Sequence, residues 1–145
     1  MVKTARMRAD EIDATPSSAW LIGLAAWFIP GAGHLLLGRW VRAILMGGAV
    51  YVGFSLGMLM GGHMYDLSNI PDFVSGLLRL PPMVGNLGNG ALYIICWLLG
   101  VGFTEDPQQA ARVTYEYGYI FLIISGLLNY LTTLDAFDIA AGRKS

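Results

Sequence analysis

Four residues of this sequence have types and spacing that could do chemistry in an apolar environment. His34 is an ionisable residue in the middle of an apolar stretch, and Asn129 lies well inside another. Asp135 and Asp138 are three positions apart, so they share one face of a helix, where two carboxylates can bind a cation or share a proton. These four residues form the candidate polar site of the chain.

Each of them also has a structural interpretation, and we expect that interpretation to hold. His34 lies one helical turn after Pro30, whose missing N–H leaves a backbone carbonyl without its donor. The two aspartates can form ion pairs with Arg143 or Lys144, and Asn129 can hydrogen-bond to a neighbouring helix. An enzyme would instead hold a bound metal, or bring His34 within ~3–4 Å of one of the aspartates, near hydrogen-bond reach. We expect no catalytic residue.

The metal-ligating residue types are scarce. With one cysteine and two histidines, a Cys/His zinc site within one chain is excluded. Cys96 has no second cysteine for an intrachain disulfide, and His63 is expected in a loop at the end of an apolar run, not as a ligand. We expect no metal and no cofactor. The net charge of −1 gives no field that would attract nucleic acid.

The elements that must position the polar site are long apolar blocks. Hydrophobic residues make up 55% of the chain and charged residues 13%, and the mean hydropathy is +0.56. A soluble domain carries about 25% charged residues, so this chain has too little polar surface to coat a soluble globule. The blocks are continuous and not periodic, which indicates an all-α polytopic membrane protein with about four transmembrane helices and one short interfacial amphipathic helix.

The block boundaries predict the domain organisation. Residues 1–16 are expected to form a polar N-terminal arm, with Thr15 as the first helix cap, and residues 17–145 a single helical membrane domain. Asp106 is the predicted cap of the last helix, which we expect to run unbroken through the fourth apolar block. The predicted spans are 17–38, 43–62, 83–103 and 113–134; the interfacial helix is predicted over 70–80, capped by Asn69 or Ser68 and ended by Pro81-Pro82.

The stretch PGAGHLLLGRW interrupts the first of these blocks. Pro30 removes a backbone hydrogen bond, and the glycines after it permit close helix approach or a turn. We expect a kinked helix that ends at Gly38 and leads into a tight turn. The alternative is a re-entrant hairpin, which requires protein around it to satisfy its backbone groups. The motif residues are Pro30, Gly31, Gly33, His34, Gly38 and Arg39.

Two stretches resemble known families. The pattern Pro-Gly-x-Gly-His-x-x-Leu-Gly-Arg at 30–39, followed by a second apolar helix, resembles the hairpin motif of the two-transmembrane-helix domain family. Leu36 departs from that family, where an aromatic residue is usual. Residues 126–144 resemble the C-terminus of a small bacterial membrane-protein family of unknown function. Both resemblances imply a helical membrane architecture, and neither implies an activity.

A glycine pattern in the second block is typical of close helix packing. Gly53, Gly57 and Gly61 form two Gly-x-x-x-Gly steps on one helix face, which can pack inside this chain or against a partner subunit. Together with the scarce intramembrane charge, this favours a structural or accessory subunit that docks into a larger membrane complex, with the bilayer and other subunits as partners. A transporter or channel component is the alternative, and an intramembrane enzyme is less favoured.

Charge counting predicts the orientation. The positive-inside rule places the N-terminus of the chain in the cytoplasm, whether the first block crosses the membrane or forms a hairpin. We expect the protein in the bacterial cytoplasmic membrane.

Overall fold

In the computed structural model, the described part of the chain comprises residues 16–66, 72–104 and 106–145. Thr15 and the predicted caps Ser68 and Asn69 lie outside it. The described residues form helices and no strand, which confirms the all-helical prediction. The helices are α1 (Pro16–Phe28), α2 (Ala32–Leu36), α3 (Trp40–Leu59), α4 (Phe73–Leu87), α5 (Ala91–Leu99), α6 (Pro107–Ala110) and α7 (Tyr115–Ala140).

The two long helices α3 and α7 form the centre of the fold. Both are long and apolar enough to cross a membrane. They run antiparallel, because Gly57 of α3 lies against Leu122 of α7, Gly53 lies against Ser125, and Arg42 lies near Asp135. The positions of the other helices can therefore be given relative to α7, whose two ends we call the Tyr115 end and the Asp135 end.

The first apolar block does not form the single helix predicted over 17–38. Helix α1 ends at Phe28, and Gly31 has a φ of +89°, a conformation that favours glycine. The Trp20 ring lies 5.0 Å from the Phe137 ring near the Asp135 end, whereas the end of α1 lies at the middle of α7. Helix α2 then returns to Asp135. The α1–α2 pair, which we call the first hairpin, enters and leaves at the same end, as in the re-entrant alternative.

The prediction that Pro81-Pro82 ends an interfacial helix over 70–80 is wrong. Helix α4 begins after Asp72, whose side chain accepts a hydrogen bond from the Ser75 N–H at 3.0 Å, and it continues through both prolines to Leu87. The fixed φ of proline is compatible with a helix, but each ring removes one donor and crowds the carbonyl four residues earlier. The turn that loses these donors has exposed side chains.

The third predicted span, 83–103, is also broken. Helices α4 and α5 are bent by 113° at a break around Gly90, which has a φ of +59°. Gly88, at the break, lies against Gly126 near the middle of α7, whereas Gly102, after α5, contacts Met58 and Met64 near the Tyr115 end.

The start of α4 lies at that same end. Arg79 of α4 stacks on the Tyr65 ring, and that ring in turn packs edge-on against Tyr119 of α7. The α4–α5 pair, the second hairpin, therefore enters and leaves at the Tyr115 end. Two helices are long enough to cross a membrane, or three if this bent pair is counted as one span, and four crossings are not found in the described residues.

The last predicted helix has the predicted cap but not the predicted continuity. The Asp106 side chain accepts a hydrogen bond from the Gln108 N–H at 3.0 Å, and Pro107 begins α6. Helix α6 ends at Ala110, and α7 begins at Tyr115. Thr114 donates its hydroxyl to the Met60 carbonyl at 3.3 Å, so the turn between the helices is tied to the end of α3. Helix α7 extends to Ala140, past the end of the predicted span at 134, and this agrees with the expectation that the helix continues beyond the apolar block.

Candidate functional site

The tips of the two hairpins meet at Asn129, in the middle of α7. The Asn129 side chain is fully buried, and its Nδ2 donates to the Trp27 carbonyl at 2.9 Å and to the Gly88 carbonyl at 2.8 Å. Trp27 is in the last turn of α1, and Gly88 is the C-terminal cap residue of α4. Carbonyls at helix ends lack intrahelical donors, and the Asn129 amide supplies a hydrogen-bond donor to one such carbonyl in each of the two helices.

A second set of buried hydrogen bonds fixes the break between α4 and α5. The Asn89 Nδ2 donates to the Asn86 carbonyl at 3.1 Å and to the Leu122 carbonyl of α7 at 3.0 Å. The Ser125 hydroxyl donates to Asn89 Oδ1 at 2.7 Å. These contacts fasten the tip of the second hairpin to α7. The sequence signal for these contacts is a pair of asparagines among three glycines in an apolar block. From the sequence alone, these asparagines are assigned to no site.

Some polar atoms at this junction are buried without a hydrogen-bond partner among the described residues. Both polar atoms of the Asn86 amide and the Oδ1 of Asn129 are in this group. Both side chains are fully buried. Unpartnered polar groups at such depth are uncommon, so each of them calls for an explanation in structural or functional terms.

The junction is closely packed because several of its residues are glycines. A Cβ added at Gly126 would overlap the Gly85 carbonyl oxygen, and a Cβ at Gly90 would overlap the Trp27 carbonyl oxygen. Such approaches of one backbone to another require residues without a side chain. The backbones of both hairpins and of α7 therefore lie in direct contact.

His34 and Asp135 form a second polar cluster, at the Asp135 end. The His34 ring is fully buried, and its Nε2 lies 2.9 Å from Asp135 Oδ2. In the tautomer that donates to this carboxylate, Nε2 carries the proton. Lys144 forms an ion pair with Oδ1 of the same carboxylate, and Arg42 lies 3.8 Å from Oδ2. Asp135 thus joins α2, α3 and the C-terminal residues to α7.

The other predicted aspartate has a separate partner. Asp138 lies 3.7 Å from Arg143, and both side chains are partly exposed. Each of the two aspartates thus lies in an ion pair, as the structural interpretation of these residues expects. Within the described ranges, no group of three or more His, Cys, Asp or Glu side chains is placed to hold a metal ion.

The hairpin motif residues pack against α3 and α7. A Cβ at Gly31 would lie 2.8 Å from the Ala43 carbonyl oxygen, and one at Gly33 would lie 2.8 Å from the Ala136 side chain. Gly38 follows α2 with a φ of +71°, as expected for a terminating glycine. Arg39 is the residue before α3 and caps it without a side-chain hydrogen bond. Pro30 lies against Gly47 of α3, and the motif therefore forms the turn of the first hairpin.

Two of the glycines in α3 face α7 of the same chain. Gly57 lies against Leu122 and Gly118, and Gly53 lies against Ser125. Gly61 lies beyond the end of the helix, with a φ of +82°, so it is not on the face that its spacing predicted. Packing within the chain is therefore the role that the structure gives to Gly53 and Gly57.

The described residues form an all-helical protein in which two to three helices are long and apolar enough to span a membrane. A buried asparagine amide links the ends of two shorter helices in its interior. The chain belongs to a family of unknown function, DUF6677, whose model matches residues 21–145. No curated protein and no solved structure matches it. The family agrees with the expected membership in a small family of unknown function. The resemblance of residues 30–39 to the two-transmembrane-helix domain family stays a prediction.

Proposed function

We propose that this protein is a non-catalytic integral membrane subunit that docks into a larger membrane protein complex. The observation that carries the proposal is that the described polar side chains in the interior form their hydrogen bonds within the chain. Asn129, Asn89 and Ser125 bond to helix ends and to α7 of their own chain, so they hold a fixed scaffold. Around this scaffold, the exposed surface of the helices is rich in large apolar side chains that suit lipid or a partner helix.

The His34–Asp135 contact meets the distance that an intramembrane enzyme would require. Its surroundings favour a structural role nonetheless. His34 is fully buried, so a substrate has no access to the ring, and Asp135 is already held by Lys144. Such a pair fastens the C-terminal residues and α2 to α7, and it needs no nucleophile to do so.

We further propose that the Asp135 end faces the cytoplasm. With two crossings by α3 and α7 and a hairpin from each side, four described cations belong to the Asp135 end, and two to the Tyr115 end. The positive-inside rule then assigns the Asp135 end to the cytoplasm of a bacterial cell. The first set is Arg39, Arg42, Arg143 and Lys144, and the second is Arg79 and Arg112.

A channel or transporter component is the second candidate, and a specific observation favours it. Two hairpins enter from opposite ends and meet near the middle of α7, and discontinuous helices of this kind form midplane binding sites in transporters. The unpartnered polar atoms of Asn86 and Asn129 lie at that junction. The tips are in direct contact in this structure, so transport would require them to separate; a polar solute between the separated tips would supply partners for these atoms.

Purification from native membranes separates the two candidates. The full-length protein, carrying a C-terminal affinity tag and expressed at its natural level, is extracted both in mild detergent and in polymer-bounded native nanodiscs. A subunit is expected to bring the same membrane protein in stoichiometric amount by both methods. A chain that purifies alone as a monomer by both methods contradicts the subunit proposal. If that monomer also makes liposomes permeable to small polar solutes, the channel candidate replaces it.

A further inference from the structure

A cavity opens at the Tyr115 end, where α3 and α5 end and α7 begins. Its volume is about 420 Å³. That volume lies within the range of roughly 300–1,000 Å³ that is typical of pockets for small molecules. Four glycines contribute backbone to its wall and leave room that side chains would otherwise fill: Gly61, Gly62, Gly100 and Gly102.

Hydrogen bonds and close contacts hold the walls of the cavity in place. The Met64 N–H donates to the Gly102 carbonyl at 2.7 Å, which joins the segment after α3 to the segment after α5. The Thr114 hydroxyl donates to the Met60 carbonyl, which joins the start of α7 to the end of α3. The cavity is therefore a fixed feature of this end of the fold.

The polar lining of the cavity suits an anion. Thr104 and Gln109 offer neutral hydrogen-bond donors, and Arg112 offers a guanidinium group. Arg112 is the charged residue of the lining, and none of the described residues that line the cavity is acidic. The planar donors of a guanidinium match the oxygens of a phosphate, and the charge strengthens each hydrogen bond.

Apolar side chains surround the cavity on the outside. Leu59 is 80% exposed, Leu99 is 71% exposed and Val113 is 87% exposed. Helices α3 and α7 are long and apolar enough to cross a membrane, and a bilayer that they span would place their ends here at the depth of the lipid headgroups. A ligand with an anionic head and long apolar chains satisfies both the cavity and the surface beside it.

We propose that this cavity binds the phosphate headgroup of an anionic phospholipid, with Arg112 as the ion-pairing residue and the acyl chains along the exposed apolar side chains. Free inorganic phosphate shares the head chemistry, but it lacks the apolar part. The site is independent of whether the protein docks into a complex, because it requires this chain alone.

Native mass spectrometry of the purified full-length protein in mild detergent tests the proposal, with phosphatidylglycerol as the probe. We expect a retained lipid on the unmodified protein and about tenfold weaker retention in Arg112→Gln, the loss typical of a charge-assisted hydrogen bond. A second variant, Thr104→Trp, fills the cavity without a change in charge and is expected to reduce retention as well. Arg79→Gln is the matched control, since Arg79 lies at the same end but outside the lining.

Each other outcome decides against the proposal. Equal retention in Arg112→Gln and in Arg79→Gln shows that the cavity does not select the headgroup. Equal retention of diacylglycerol, which lacks the phosphate, shows that apolar contact alone is responsible. Displacement of the lipid by millimolar inorganic phosphate shows that the site takes the free anion. Circular dichroism of each variant establishes that its helices are intact before the comparison is made.

Discussion

Replacement of Gly126 by alanine is expected to destabilise the fold more than any other single change considered. The added methyl group would overlap the carbonyl oxygen of Gly85, which belongs to the backbone of α4 and has no rotamer to move to. Overpacking that a core accommodates by side-chain shifts costs about 1–3 kcal/mol, and a clash with backbone is more severe. We expect the free energy of unfolding to fall by more than about 3 kcal/mol. Denaturant titration in detergent micelles, followed by circular dichroism, measures this change.

Gly48→Ala is the matched control for this substitution. Gly48 is also helical, and an added Cβ there meets nothing within 4 Å. Alanine is favoured over glycine inside a helix by roughly 0.5–1 kcal/mol, so this variant should be as stable as the unmodified protein or slightly more stable. Equal stability of the two variants would show that α4 does not approach α7 at Gly126.

Replacement of Asn129 by leucine is expected to have the second largest effect. The change keeps the branched shape and the number of heavy atoms of the side chain, and it removes both hydrogen bonds to the ends of α1 and α4. Hydrogen bonds between membrane helices contribute about 0.6 kcal/mol on average and up to about 1.7 kcal/mol each. Two carbonyls are also left buried without a donor, so we expect a loss of about 2–3 kcal/mol in the free energy of unfolding.

Tyr130→Phe serves as the control for Asn129→Leu. The Tyr130 hydroxyl donates one hydrogen bond to the Val84 carbonyl at 3.0 Å, and this bond is exposed. Its removal should cost less than about 1 kcal/mol. The same titration in micelles compares the two variants, and a smaller loss for Asn129→Leu than for Tyr130→Phe would contradict the capping role of Asn129.

The helical class of the fold could be predicted from the sequence. That the first and third apolar blocks each form a hairpin could not. Hydropathy counts apolar residues, and a hairpin of two short helices contains as many of them as one crossing. The 13-residue α1 and the 5-residue α2 together fill the predicted first span. Glycine was visible at positions 31 and 90, but the positive φ that each adopts depends on contacts with distant backbone.

The sequence predicted several residues of the candidate site, but it did not predict which residues they contact. His34, Asn129 and Asp135 stood out because polar groups in apolar blocks are rare. The His34–Asp135 contact joins residues 101 positions apart, and no local pattern encodes such a pairing. Asn89 is visible as a polar interruption of the third apolar block. Its role could not be predicted because its partners are backbone carbonyls and a serine hydroxyl, which carry no sequence signal of their own.

Two hairpins that enter from opposite sides and meet at Asn129 define this fold. Their entry sides can be measured with single cysteines in a Cys96→Ser background, labelled in intact and in opened cells with a membrane-impermeant maleimide. The exposed positions Ser17 and Trp40 flank the first hairpin, and the exposed positions Asp72 and Gln108 mark the Tyr115 end. We predict that Ser17→Cys and Trp40→Cys react only from the cytoplasm, and that Asp72→Cys and Gln108→Cys react only from outside. Labelling of Ser17→Cys and Trp40→Cys from opposite sides would contradict the account.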